Sequence, residues 1–283
     1  MLPRFSLTAP TMMNRSRQLF RLVALSVTSL PLLTACFNLS EPQQLPVYKF
    51  GAVSLRATSG PAGTAKAIST AIFFEAYSAG IPDSKNQANT CVFSTVDTVT
   101  SIVTGVTKAG TALSMLFGTG TTTTTVPLAY DDSYKRYASA APTSYRSGDS
   151  VRVSIPGETG GFPASAIAVR LAEPLLPQTV TLPAAGKSMT ISWNASPDTT
   201  TAIIISLKYA NPVTSSYANQ QILCALKDDG TEELPADAMA PVLASPAALR
   251  SLLLTRWRTS VVNPDASTLL HIVTKMDTLV KMN

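Results

Sequence analysis

An all-β fold of two β-sandwiches is predicted by three observations. The chain is rich in threonine, serine, valine and alanine, contains 20 prolines and is only 14% charged. That composition suits pleated strands and turns better than helices. Apolar and polar residues alternate in short runs, as in Val151-Arg152-Val153-Ser154-Ile155, which puts every second side chain on one face. Turn residues such as Pro156-Gly157 and Asp228-Asp229-Gly230 interrupt the runs about every ten residues, the spacing of sandwich strands.

Strand signals begin at Tyr48, where Val53 and Leu55 alternate with polar neighbours. Residues 71–77, 91–96, 101–106 and 112–117 are further predicted strands. Gly118-Thr119-Gly120 turns the chain, so that residues 121–128 return as a hairpin partner. The threonines at 121–125 form a strand or an exposed loop. Residues 130–145, polar and aromatic, are predicted as a loop, followed by strands at 151–155 and 166–171. Glu173-Pro174-Leu175-Leu176-Pro177 marks the crossing into the second half.

There, Met189, Ile191 and Trp193 share one face, and the nearly all-aliphatic residues 202–207 form a central strand. Residues 221–226 run into the Asp228-Asp229-Gly230 turn, where glycine accepts a positive φ. Pro235 to Met239 makes one helical turn. Residues 252–262 alternate with Leu253, Trp257 and Val261 inward, and Arg256 and Arg258 outward. Residues 269–276 fit both strand and helical spacing.

The stretch Thr190-Ile191-Ser192-Trp193-Asn194-Ala195-Ser196-Pro197-Asp198 is similar to the second strand of fibronectin type III domains, where a tryptophan ends the strand before a proline-containing loop. The resemblance covers nine residues and implies an immunoglobulin-like sandwich for the C-terminal half. The expected architecture is therefore all-β, with two immunoglobulin-like β-sandwich domains at residues 48–174 and 175–283.

Ahead of this body lies a leader. Arg15, Arg17 and Arg21 precede the apolar residues 22–33, and small residues follow, the layout of a secretory signal. Leu33-Thr34-Ala35-Cys36 resembles the lipobox of bacterial lipoproteins. The resemblance implies a diacylglyceryl thioether on Cys36, cleavage between Ala35 and Cys36, and acylation of the new amino terminus. The apolar stretch is about a dozen residues, against the roughly 20 that a spanning helix needs. Two or more acyl chains hold a protein stably to a membrane. Translation starts at Met1, Met12 or Met13. After the cysteine, Phe37-Asn38 brings no aspartate beside Cys36, which in enteric-type bacteria implies sorting to the outer membrane. Residues 36–47, with two prolines and no periodicity, form a tether of up to about 40 Å.

Removing residues 1–35, which hold four of the 22 basic residues and none of the 17 acidic ones, leaves 248 residues of net charge +1. No basic stripe of the kind nucleic acids require remains. Expected partners are the membrane, through the anchor, and other envelope proteins or glycans. Cys91 and Cys224 remain after the anchor. Each lies in an apolar, strand-like stretch, so a disulfide and two small buried hydrophobes are both open. With one histidine, His271, the chain has no metal-ligand set and no Ser-His-Asp arrangement. No metal or other cofactor is expected. Asp131-Asp132 and Asp228-Asp229 read as solvated turn residues.

The candidate ligand-binding residues are Tyr130, Tyr134, Tyr137 and Tyr145, whose flat faces suit a sugar or peptide. The expected function is a non-catalytic, lipid-anchored envelope protein. A carbohydrate- or peptide-binding module on the tyrosine loop is the alternative, and a hydrolase using carboxylates alone is a further one.

Overall fold

Alternating burial shapes nearly every element. The computed structural model describes residues 47–59, 64–76, 89–96, 105–118, 123–146, 148–176 and 180–282. Residues 45–283 make one compact unit. The first half supplies β1 (Tyr48–Ser59), β2 (Thr64–Ala76), β3 (Thr90–Thr95), β4 (Ala112–Phe117), β5 (Thr124–Asp131), β6 (Arg136–Ser139), β7 (Thr143–Arg146), β8 (Ser150–Ile155) and β9 (Ser165–Arg170). The second supplies β10 (Met189–Ser192), β11 (Thr201–Tyr209), β12 (Gln220–Lys227), β13 (Thr231–Leu234), α1 (Ala236–Ala244), β14 (Ser251–Asp265) and β15 (Thr268–Val280). The all-β class is thus what the structure has, with α1 as its one α-helix among the described residues. Residues 269–276, ambiguous by spacing, lie in β15 because β1 and β14 pair with both of its edges.

Thirteen strands join in one sheet, ordered β3-β12-β11-β14-β15-β1-β2-β6-β5-β4-β8-β9, with β7 beside β6 on β2. The strand β1 runs parallel to β15 and antiparallel to β2. A second small sheet pairs β10 with β13. Backbone pairing crosses the expected boundary at residues 174/175 twice, through β3 on β12 and β1 on β15. The long β14–β15 hairpin runs along both halves, and its register shifts between Val262 and Asp265. Pro264, which has no N–H to give a ladder, sits in that irregularity.

Two apolar cores lie on the same side of this sheet. One gathers Val53, Leu55, Phe73, Met115 and Val153 with Leu270, Ile272 and Met276 of β15. The other gathers Ile203, Ile205, Leu252 and Leu254 with Ile191 and Trp193 of the small sheet and Met239 of α1. At β12 the Asp228-Asp229-Gly230 turn forms as its chemistry requires, with Gly230 at φ +104°. The segment 130–145 departs from expectation. Most of it is strand, because Tyr130 pairs Tyr137 across a tight turn at 132–135. Cys91 and Cys224 are directly opposed on β3 and β12 and form a disulfide, their Cα atoms 4.0 Å apart.

Candidate binding cleft

An open cleft of about 560 Å³ lies where the segment before β4 meets the end of β5 and the turn after β8. Its walls include Lys108, Tyr130, Asp132 and Glu158, with Gly110 and Gly157 between them. Gly157 has φ +81°, and a Cβ there would come within 2.4 Å of the Ala164 nitrogen, so only glycine lets the turn after β8 pack against Pro163-Ala164. The Gly110 N–H donates to Glu158 Oε2 at 3.3 Å.

Beneath the cleft sits Tyr137, fully buried. Its hydroxyl accepts from the Ala109 N–H at 2.8 Å and donates to the Gly110 carbonyl at 2.6 Å. Burial pushes this phenol above the ordinary tyrosine range. The ring meets Phe73 and Tyr130 edge to face, an arrangement that suits aromatic quadrupoles. Tyr130 receives the Tyr137 ring at 4.9 Å, while the Lys108 ammonium lies 4.7 Å from its centroid. That ammonium is also 4.0 Å from Asp132.

The four candidate tyrosines therefore do not make one face. Tyr137 and Tyr145 are core residues, and burial raises the Tyr145 phenol strongly. Tyr134 is 68% exposed on the β5–β6 turn, with the Arg136 guanidinium 5.0 Å from its ring. Tyr130 alone lines the cleft. Alternation over residues 136–139 could have signalled the buried tyrosine, since Tyr137 faces in while Arg136 faces out. Asp131 accepts from the Ser133 and Tyr134 N–H groups, the turn-capping role its position suggests.

A buried ionic cluster joins the two halves, and here the expected faces are inverted. Leu252, Leu254, Arg256 and Arg258 point inward, while Trp257 is half-buried on the opposite face with the Lys275 ammonium 4.2 Å from its ring. Arg256 is 1% exposed and its Nε donates to Asp228, 2% exposed, at 2.7 Å. It also donates to the carbonyls of Pro174 and Asn194. Trp193 Nε1 donates to the same Asp228 carboxylate at 2.9 Å. Asp228 is thus no solvated turn residue. Arg258 donates to both oxygens of Glu173 and pairs with Asp198 at 2.7 Å. Asp198 is held below the ordinary carboxylate range, first by the Thr200 N–H and hydroxyl and then by Arg258 and Arg170.

His271 faces the side of β15 away from the cores, and burial with the nearby Lys275 lowers its pKa. Among the described residues no group of three or more His, Cys, Asp or Glu could hold a metal ion. No helix among them is long and apolar enough to cross a membrane. Ala35 and Cys36, the expected cleavage and lipidation site, lie outside the described residues.

No protein-family model and no curated protein matches the chain. Among solved structures, the Fcho1 Mu homology domain of Danio rerio with bound Eps15 peptide aligns with 83% of this chain and 97% of its own. The identity is 10% and the TM-score 0.25.

Proposed function

We propose that the chain is a lipid-anchored protein of the bacterial envelope, attached through Cys36 at the outer membrane, with a non-catalytic structural or binding role. The observation that carries the extracytoplasmic placement is the Cys91–Cys224 bridge, because such bonds form and persist in oxidising compartments. The lipobox-like Leu33-Thr34-Ala35-Cys36 supports the anchor. In this reading each core belongs to one sandwich-like half, divided near residues 174/175, and the shared β14–β15 hairpin keeps them together. The expected result is metabolic labelling of the protein with radioactive palmitate, lost in Cys36→Ser together with release from the membrane fraction. Unlabelled wild-type protein would remove the anchor.

A second reading places a small polar ligand, a glycan or a peptide end, in the Tyr130 cleft. Its volume falls within the usual range for ligand sites. A ligand stacking on Tyr130 would take the place of Lys108, whose exposed side chain is free to swing aside. Tyr130→Ala is expected to abolish binding on a glycan or peptide array, whereas Tyr134→Ala leaves it intact. Equal binding by both variants would exclude the cleft.

A further inference from the structure

The sheet face that looks away from both cores is apolar and basic. Seven neighbouring strands, β3-β12-β11-β14-β15-β1-β2, contribute to it. Registers place Lys227, Ala202, Trp257, Lys275, Arg56 and Ile68 in one row across it. Paired residues share a face, so the same side carries Lys66 beside Thr58 and Lys208 beside Ser251. Five cations result. The one acidic side chain at the outward positions of these described strands is Asp277, already paired with Arg56 and with the Thr255 hydroxyl. Residues 36–283 as a whole balance to +1, so this side is positively polarised while the acidic groups lie elsewhere.

Apolar groups stand among the cations. Val92, Ile68, Val261 and Leu279 are exposed, Leu279 by 75%. Trp257 is partly exposed beside Lys275. Open sheet faces in water are usually polar. Lysine and arginine stems that lie along apolar surface with their heads raised, together with an indole, suit the boundary between headgroups and acyl chains.

We propose that this face rests on an anionic lipid surface, so that the body lies against the membrane rather than standing off it. Charge complementarity selects the partner: five cations on five of the seven strands, a net excess of four over Asp277, match a layer of phosphate headgroups. The inference goes beyond the anchor and does not require it, because the face belongs to the unit of residues 45–283, which holds both cores and the disulfide.

The test uses that unit, made with its disulfide and carrying no lipid, mixed with vesicles of phosphatidylcholine with and without phosphatidylglycerol. Sedimentation is expected with the anionic vesicles only, and to be reversed by salt. Lys66→Gln with Lys227→Gln, both exposed, should weaken it about 30-fold, at roughly fivefold per cation. Lys135→Gln, on the β5–β6 turn, should leave it unchanged.

Trp193 is buried with its indole N–H bonded to Asp228. The blue shift of emission on binding should therefore come from Trp257 and vanish in Trp257→Phe. Absent or charge-independent sedimentation would overturn the proposal. So would binding to polyglutamate without binding to vesicles, which would indicate an acidic protein instead. Because the sample has no Cys36, these outcomes are separate from the palmitate labelling.

Discussion

Arg256→Met is expected to cost about 3–5 kcal/mol of stability, the range for breaking a buried ion pair from one side. The side chain is almost wholly inaccessible and holds Asp228 together with the backbone carbonyls of Pro174 and Asn194. Removing it leaves a carboxylate buried without its cation and the Asn194 carbonyl without the guanidinium donor, while the Pro174 carbonyl keeps only the Asn194 amide. For a body of this length, each kcal/mol lowers Tm by about 2–4 °C, so thermal unfolding should shift by roughly 6–20 °C. Asp228→Leu added to Arg256→Met should recover part of that loss, because the uncompensated charge is gone. It would not recover all of it, since Trp193 Nε1 loses its acceptor and an orphaned buried donor costs about 1–3 kcal/mol. A single-variant loss below about 1 kcal/mol, the scale of an exposed pair, would show that the cluster does not hold Glu173-Pro174 against β14.

This cluster also shows where sequence reading stops. Strand existence was legible wherever alternation or an aliphatic run was strong. Residues 202–207 became the interior of β11, flanked by β12 and β14, and Pro156-Gly157 closed β8 as expected. Which stripe of β14 faces inward was not legible, because both carry apolar residues: Leu252 and Leu254 on one, Leu253, Trp257 and Val261 on the other. Residue type favoured the stripe without arginines. The true stripe is chosen by carboxylates that arrive from residues 173, 198 and 228, at separations a local pattern does not encode.

The tyrosine segment failed differently. Its polar composition resembled a loop, yet the cross-strand contact of Tyr130 with Tyr137 and the hydroxyl's bonds to Ala109 and Gly110 let a polar stretch pay for burial. Of the candidate site, only the Tyr130 wall was visible beforehand. Gly110, Gly157 and Glu158 come together only once β4 and β8 pair.

Opening the Cys91–Cys224 bridge should produce the second large effect, and it should be uneven. The two cysteines are 133 residues apart, and the chain-entropy relation for a loop of that size gives about 5 kcal/mol; native disulfides removed from small secreted domains cost about 2–5. Apart from the bridge, β3 is held along one side, by its ladder to β12, by the Val96 N–H on the Asn219 carbonyl and by Gln221 Nε2 on Ser94 Oγ. It is the terminal strand of the sheet order. Reduction, or Cys91→Ala with Cys224→Ala, should therefore make β3 amides exchange with solvent far faster, while the β14–β15 and β1 amides stay near the global limit. Urea unfolding should show the stability loss, and exchange should locate it. If the amides of β3 and β15 accelerated equally, the bridge would be stabilising the unit as a whole through the unfolded chain alone. Uneven acceleration would instead assign it the local task of fixing one edge of the sheet, and a chain kept in a reducing compartment would lose that edge first.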